Sequence, residues 1–221
     1  MSSSTELEAL SALRLAMVES QLRARGIADE RVLEAMARVP RHQFTAPRYR
    51  DQAYDDHPLP IGEGQTISQP YIVALMLQAL AIQPSDKVLE VGTGSGYATA
   101  LMAQLAARVF SIERHAALAG AARDLLANLG YSNVQVIVGD GSRGFAPQAP
   151  YDAILVSAAA RSVPEALLEQ LAEGGRMIIP LGSEDSQQLQ LIHKEHGRLH
   201  FMWRELCRFV PLVTQEKIGS P

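Results

Sequence analysis

The stretch from Lys87 to Tyr97, Lys-Val-Leu-Glu-Val-Gly-Thr-Gly-Ser-Gly-Tyr, constrains the fold more than any other part of the chain. Its short apolar run predicts a buried strand of the parallel type. The glycines that follow, at 92, 94 and 96, permit a sharp turn whose backbone can come close to a ligand. The residues after Tyr97 have helix-forming composition. We therefore predict a strand, a tight turn and a helix N-terminus, which is where α/β folds hold a nucleotide-like cofactor.

Glycine spacing and two acidic residues refine this prediction. The dinucleotide fingerprint G-x-G-x-x-G would require a third glycine at 97, where the chain has Tyr97. Glu113 follows the next apolar run, residues 109–112, and its carboxylate could accept hydrogen bonds from both hydroxyls of a ribose. Asp140 follows a third run, residues 134–138, and suits the adenine amino group. Alternatively, either acid could cap the helix that follows it.

Composition excludes several classes of function. The chain has 221 residues, 47% of them hydrophobic, which is enough for one sizeable α/β domain with a short extension. A net charge of −4 without a cationic run argues against nucleic acid as a partner. The single Cys207 excludes an intramolecular disulfide framework, and no acid or cysteine completes a metal site with His196 and His200. Without a signal-like N-terminus or a long apolar run, we expect a cytoplasmic protein that does not enter membranes.

The first 69 residues predict a cover that precedes the sheet. Helical spacing indicates two helices, at residues 5–25 and 29–40. Regular periodicity then disappears over residues 41–69, and a structureless segment of this length is usually functional or disordered. Its apolar and aromatic residues indicate order: Phe44, Tyr49, Tyr54, Leu59 and Ile61. Ser68 comes directly before a helical pattern with Pro70 in its first turn, and from spacing alone Ser68 is the N-cap of that helix.

From Lys87 onward, strands and helices alternate. Strands are predicted at 87–91, 109–112, 134–138, 152–156 and 176–181, with a helix at 164–171, and a hairpin follows from 189–193 and 201–213. The fold class is therefore α/β, a doubly wound and mostly parallel sheet with a C-terminal antiparallel hairpin and an N-terminal helical extension. We expect one domain over residues 1–221, in which 1–69 covers a cofactor-binding core at 70–221. A single βαβ half followed by a hairpin favours a Rossmann-like S-adenosylmethionine-dependent methyltransferase over a dinucleotide oxidoreductase.

The chain also resembles the protein-L-isoaspartate O-methyltransferases from about Val18 to Leu212. The most specific stretch is Gly-Gln-Thr-Ile-Ser-Gln-Pro at residues 64–70, and Pro-Leu-Pro-Ile-Gly at 58–62 and Phe-Val-Pro-Leu at 209–212 support it. The resemblance implies an enzyme that methylates the stray carboxylate of L-isoaspartyl residues in aged proteins, and so begins their repair. Arg161 departs from the pattern, because the family usually has proline there.

The resemblance assigns roles to residues by position. Ser68 falls on the family's active-site serine. The residues implied in cofactor binding are Gln65, Thr66, Ile67 and Ser68, which border cofactor and substrate; Gly92, Thr93, Gly94, Ser95 and Gly96 under the methionine part; Glu113 on the ribose; and Asp140 and Gly141 on the adenine side. No metal is implied. The sequence leaves the oligomeric state unknown, and we favour a monomer.

These residue types suit methyl transfer to a carboxylate. The nucleophile, with a pKa near ~4, is already ionised at neutral pH, so no general base is needed. Alignment and exclusion of water become the enzyme's task, and positioning alone can contribute on the order of 7–11 kcal/mol. We hypothesise that Ser68 holds the carboxylate in line while segment 41–69 closes over the site. Residues 208–212 are a candidate edge for pairing with the substrate peptide, or merely a sheet edge blunted by Pro211.

Two other functions remain open from the sequence. A methyltransferase of the same fold could esterify an aspartate in a ribosomally made peptide and form an aspartimide as a deliberate modification. A cofactor-binding paralogue without catalysis could act as an interaction module. The presence of Ser68, Glu113 and Asp140 argues against the second alternative.

Overall fold

The N-terminal part of the chain is helical. A computed structural model describes residues 4–183 and 185–213. Helix α1, Ser4–Met17, continues through a π-helical turn and a 3-10 turn to Arg25, and α2 spans Glu30–Arg38. The carboxylate of Asp29 caps α2 by accepting hydrogen bonds from the backbone N–H groups of Arg31 and Val32. Both predicted helices are confirmed.

The segment after α2 contains more regular structure than its sequence indicates. Two short 3-10 helices, Arg41–Gln43 and Pro47–Gln52, precede an antiparallel hairpin of β1, Leu59–Gly62, and β2, Gln65–Ile67. The expectation of a structureless segment up to residue 69 is therefore wrong. Strands of four and three residues are too short to show alternation of polar and apolar side chains.

Helix α3, Pro70–Leu80, begins one residue later than predicted. Gln69, not Ser68, occupies the N-cap position, and no side chain caps the helix there. The interpretation of Ser68 as an N-cap is thus wrong. Extended backbone angles at Gln69 (φ −51°, ψ 135°) place Ser68 in the connection between β2 and α3.

A seven-stranded sheet forms the centre of the molecule, in the order β5-β4-β3-β6-β7-β8-β9. Its strands are β3 Lys87–Val91, β4 Arg108–Glu113, β5 Val134–Val138, β6 Tyr151–Val156, β7 Leu171–Gly182, β8 Gln187–Glu195 and β9 Arg198–Cys207. The helices between them are α4 Tyr97–Leu105, α5 Ala116–Asn128 and α6 Glu165–Glu169. Strands β3 to β7 are parallel, and β8 and β9 add antiparallel pairs at one edge. The predicted fold class is confirmed, although Leu171, expected at the end of a helix, begins β7.

Side chains on the two faces of the sheet belong to two separate apolar clusters. Val88 and Val109 face the cluster that contains residues of α1 to α5. Leu89 and Phe110 face a smaller cluster that includes Leu167 of α6. This alternation along each strand follows the two-residue period of β-structure, and it buries both faces of the parallel sheet. Within the described ranges, no helix is both long and apolar enough to cross a bilayer.

The chain after β9 does not form the sheet edge that the sequence indicates. β9 ends at Cys207, and residues 209–213 return toward the parallel part of the sheet. There the backbone N–H of Ala159 donates to the carbonyl of Val210 (2.8 Å), and that of Leu212 donates to the carbonyl of Ala159 (2.7 Å). The expectation of a strand and free edge at 208–212 is wrong, because this segment pairs with the loop after β6.

Candidate active site

A cleft of about 970 Å³, counting the space at its open mouth, lies at the carboxyl ends of β3, β4 and β6. In the sheet, β3 lies between β4 and β6. The strands β4 and β5 follow β3 on one side, and β6 then begins the other side, so the strand order reverses at β3. Ligands of open α/β sheets bind at such a switch in strand order. The predicted site residues that line the cleft are Gln65, Thr66, Ile67, Ser68, Gly92, Thr93, Gly94, Ser95, Glu113 and Gly141. Ten of the twelve predicted residues therefore line the cleft, whereas Gly96 and Asp140 are not part of its lining.

The glycine loop after β3 needs glycine for conformation and for space. Gly92, Gly94 and Gly96 have φ values of 95°, 54° and 87°, a region that other residues rarely adopt. A Cβ on Gly94 would lie 3.2 Å from Ile61 of β1, so the hairpin covers this loop closely. Gly96 is the N-cap residue of α4, and a Cβ there would approach Ala122 of α5 instead of the cleft.

Glu113 connects the end of β4 to the glycine loop. One carboxylate oxygen, Oε2, accepts a hydrogen bond from the backbone N–H of Gly94 (2.9 Å). The other oxygen, Oε1, accepts a hydrogen bond from the backbone N–H of His115 (2.9 Å). His115 is the N-cap residue of α5. Glu113 thus binds a backbone group at the start of the next helix and also faces the cleft.

Asp140 caps the turn that follows it, which is one of the two roles that the sequence predicts for this residue. Its Oδ1 accepts hydrogen bonds from the backbone N–H (3.0 Å) and hydroxyl (2.7 Å) of Ser142, and so caps the 3-10 turn Gly141–Arg143. Its neighbour Gly141 is buried and lines the cleft. A Cβ on Gly141 would lie only 2.4 Å from Cγ1 of Val91, so this turn can pack on β3 only without a side chain.

Glu90 is a cleft residue that the sequence reasoning missed. It is fully buried in β3, and its Oε2 accepts hydrogen bonds from the hydroxyls of Thr99 and Ser111, both at 2.5 Å. Burial raises the pKa of Glu90 to about 8, against the opposing effect of those two hydrogen bonds. Its Oε1 has no hydrogen-bond partner among the described residues. The available signal was an acid inside an otherwise apolar strand, since buried carboxyl groups are rare without a specific role.

Ser68 lines the cleft from the covering side. It is half-buried and directly follows β2, whose backbone pairs with β1. In the part of the chain that the structure describes, no hydrogen bond engages the Ser68 hydroxyl. The hydroxyl is therefore available to a bound molecule, and its direction depends on the backbone on either side.

The C-terminal segment 209–213 closes the opposite side of the cleft. The side chain of Gln187 fixes its start, because Oε1 accepts from the backbone N–H of Phe209 (2.6 Å) and Nε2 donates to its carbonyl (3.1 Å). At its end, Arg114 donates to the carbonyl of Val213 (3.2 Å). The sequence indicated a peptide-binding edge in this segment, and the structure brings the segment to the cleft instead.

The geometry defines a class of protein. A glycine loop lies at the switch point of a mostly parallel sheet, and a carboxylate follows the neighbouring strand at the same edge. Over the described ranges, no three histidine, cysteine or acidic residues gather to hold a metal ion. Together with the C-terminal antiparallel strands, this arrangement is that of a Rossmann-like S-adenosylmethionine-dependent methyltransferase.

Comparison with known proteins gives the particular family. The sequence profile of the protein-L-isoaspartate(D-aspartate) O-methyltransferases (PCMT) matches residues 14–217, and the chain belongs to this family. The protein-L-isoaspartate O-methyltransferase of Koribacter versatilis is 58% identical over 98% of this chain and 97% of its own length. That of Methanoculleus marisnigri is 52% identical over 90% of each chain.

Solved structures agree with the sequence relatives. A protein-L-isoaspartate O-methyltransferase superposes with a TM-score of 0.83 at 30% identity, covering 91% of this chain and 66% of that longer one. A PCMT protein from Plasmodium falciparum, solved in complex with S-adenosyl-L-homocysteine, gives a TM-score of 0.78 at 29% identity and covers 90% of this chain and 98% of its own. The predicted family and fold are thereby confirmed.

Proposed function

We propose that this chain transfers the methyl group of S-adenosylmethionine to the free carboxylate of isoaspartyl residues in damaged proteins. The observation that carries this proposal is the family match over residues 14–217, which includes every residue that lines the cleft. The reaction class, carboxyl O-methylation with S-adenosylmethionine as donor, follows from membership in this family.

The cleft residues fit the cofactor. Gly92 and Gly94 leave their backbone without side chains, which allows the methionine part of a ligand to approach. The carboxylate of Glu113 lies at the end of β4, where it can reach ribose hydroxyls, and Gly141 lines the cleft where the adenine side would lie. When bound, the cofactor supplies a methyl group on a positively charged sulfur. Roles for Asp140 and Gly96 in binding stay predictions, and both would act through the loops that they shape.

Methyl transfer to a carboxylate requires orientation more than proton transfer. The carboxylate is ionised at neutral pH, so it attacks without a general base. Ser68 is the residue we assign to hold it, since its hydroxyl lies at the cleft and is free to donate a hydrogen bond. Thr66 and Gln65 shape the pocket beside it. The hairpin β1–β2 and segment 209–213 limit the access of water from two sides.

The product explains how methylation leads to repair. A methyl ester is a better leaving group than a carboxylate, so the neighbouring backbone nitrogen displaces methanol and forms a succinimide. Hydrolysis of that ring returns part of the residue to normal aspartate. No residue of the protein is needed for this step.

The proposal is tested by mixing the protein with labelled S-adenosylmethionine and a peptide that contains isoaspartate, and by measuring methanol release. We expect release with this peptide and none with its normal aspartyl twin. Ser68→Ala should lower turnover strongly while the dissociation constant of S-adenosylhomocysteine changes little. Methylation of the aspartyl peptide alone would instead indicate an aspartimide-forming peptide modifier, and no methylation of any isoaspartyl peptide would indicate a silent paralogue.

Other aspects of the organisation are also proposals. We infer that residues 1–69 and 70–221 act as one domain, since side chains of α1 and α2 share an apolar cluster with those of α3 and α4. A net charge of −4 supports the absence of a nucleic-acid partner. A cytoplasmic monomer that acts on isoaspartyl proteins away from membranes remains our expectation.

A further inference from the structure

Ser68 is held in place by the backbone on either side of it. Ser68 lies between β2 and α3, and within the described chain its hydroxyl has no hydrogen-bond partner to orient it. Its orientation must therefore come from the backbone before it, in β2, and after it, at Gln69. The first of these is fixed by pairing with β1.

The residue after Ser68 is fixed by a carboxylate. Nε2 of Gln69 donates a hydrogen bond to Oδ2 of Asp56 (2.8 Å). The same oxygen accepts a hydrogen bond from Arg25, which forms an ion pair with Asp56. Asp56 belongs to the covering segment before β1, and Arg25 ends the 3-10 turn that follows α1. One carboxylate oxygen thus connects three separate parts of the chain.

Arg25 also contacts the start of α3 directly. Its guanidinium lies 3.5 Å from the ring centroid of Tyr71, the second residue of that helix. A cation over a tyrosine ring at this distance is attracted by the ring's electron-rich face. We call Arg25, Asp56, Gln69 and Tyr71 the Asp56 cluster. Its contacts hold the chain at Gln69, just before α3, and at Tyr71, in the first turn of α3.

The charge of Asp56 also raises the pKa of a second cation, Arg41. Arg41 is fully buried, and its two terminal nitrogens have no hydrogen-bond partner among the described residues. Burial lowers the pKa of Arg41 to about 10, and Tyr97, Tyr54 and the charge of Asp56 oppose this effect. The Arg41 guanidinium lies 4.9 Å from the ring centroid of Tyr97, which lines the cleft at the start of α4. Arg41 of the covering segment thus contacts Tyr97 at the edge of the cleft.

We propose that Asp56 is a positioning residue for methyl transfer, which fixes Gln69 and so directs the Ser68 hydroxyl toward the substrate carboxylate. No member of the Asp56 cluster lines the cleft, so the effect on the reaction passes through Ser68. Misplacing a reacting group by about 1 Å can lower a rate about 100-fold, which makes such indirect support measurable. The inference rests on the proposed function, because it concerns the residue to which that function assigns catalysis.

The test measures turnover with an isoaspartyl peptide and, separately, affinity for S-adenosylhomocysteine. Asp56→Ala in the full chain should lower kcat about 10-fold to 100-fold, while the dissociation constant of S-adenosylhomocysteine stays within about two-fold. The neighbouring Asp55→Ala is the matched control, because Asp55 is exposed and, among the described residues, its side chain forms an ion pair only with His57. That variant should keep wild-type kcat.

A double variant shows whether Asp56 acts through Ser68. If it does, Asp56→Ala combined with Ser68→Ala should be no slower than Ser68→Ala alone, since coupled residues are not additive. Losses that multiply, or an unchanged kcat in Asp56→Ala, would overturn the inference.

A third variant covers the case in which Asp56→Ala does not fold. Gln69→Met removes the amide that binds Asp56 and leaves the Arg25–Asp56 ion pair in place. It should reproduce the loss in kcat, and a wild-type kcat in this variant would refute the role of the cluster. If the wild-type chain itself fails to methylate isoaspartyl peptides, the proposed function fails, which is a separate outcome.

Discussion

Glu90 is a residue whose chemistry differs from what its position in a strand suggests. Its carboxyl group is fully buried and receives hydrogen bonds from Thr99 and Ser111. Burial raises its pKa from 4.5 to about 8, and these hydrogen bonds oppose the shift only in part. The folded chain therefore binds a proton at Glu90 over a pH range in which the unfolded chain has released it.

This difference predicts how stability changes with pH. The stabilisation from protonated Glu90 is fully present below pH 4.5 and is lost as the pH rises through about 8. In Glu90→Gln the amide cannot titrate, so the stability of that variant should fall less between pH 5 and pH 8. The difference should grow by at most about 1.4 kcal/mol per pH unit. Urea unfolding at several pH values measures it, and parallel pH profiles for both proteins would contradict the prediction.

Gly141 illustrates a glycine that is required by packing. A Cβ at this position would overlap Cγ1 of Val91 at 2.4 Å, so Gly141→Ala must displace the turn or the strand. We expect a loss of about 1–3 kcal/mol in the free energy of unfolding, typical of overpacking, together with weaker binding of S-adenosylhomocysteine. Urea unfolding and calorimetric titration measure the two effects.

Gly120 provides the matched control for this substitution. It lies inside α5, and no atom would come within 4 Å of an added Cβ. Gly120→Ala should therefore stabilise the protein by roughly 0.5–1 kcal/mol and leave ligand binding unchanged. Equal effects of the two substitutions would show that the contact with Val91 has no energetic consequence.

At the scale of elements, one buried side chain holds the start of the C-terminal segment 209–213. Gln187 of β8 satisfies both backbone polar groups of Phe209. Gln187→Ala would leave these groups without partners, and we expect a loss of about 1–3 kcal/mol in stability and reduced affinity for S-adenosylhomocysteine. The exposed neighbour Gln188→Ala should change stability by less than about 0.5 kcal/mol. Wild-type affinity in Gln187→Ala would mean that segment 209–213 holds its position without this contact.

Elements with a strong local pattern could be predicted from the sequence, and elements defined by distant partners could not. The buried strands from 87 to 156 are mainly apolar runs, so their position and parallel pairing were predicted correctly. The β1–β2 hairpin is too short for a recognisable period. Segment 209–213 gains its place by pairing with Ala159, some fifty residues earlier, which no local pattern encodes.

The residues of the candidate site also divide into those with a local sequence signal and those without one. Residues of the glycine loop and Glu113 were found because turn chemistry and position after a strand are local signals. Glu90 was missed because strand periodicity treats it as one more buried position. Asp56 could not be found, since its partners Arg25 and Gln69 lie 31 and 13 residues away in sequence. Supporting residues of this kind require the fold to be known.

At the scale of the whole molecule, the cleft is lined by residues that lie between positions 65 and 213. Its lining includes β2, the glycine loop, the ends of β4 and β6, and the C-terminal segment. The N-terminal helices share an apolar cluster with α3 and α4, which places the covering part and the sheet in one packed body. Binding a ligand in the cleft should therefore stabilise the covering part and the core together.

This arrangement predicts one cooperative unfolding transition that the ligand shifts as a unit. S-adenosylhomocysteine at 100 times its dissociation constant should add about 2.7 kcal/mol to the free energy of unfolding. For a chain of this length, that corresponds to a rise in Tm of roughly 5–11 °C. Scanning calorimetry should give a single peak whose calorimetric and van't Hoff enthalpies agree, with and without the ligand. Two peaks, of which only one moves, would show that residues 1–69 unfold independently of the core, and would contradict the single-domain organisation.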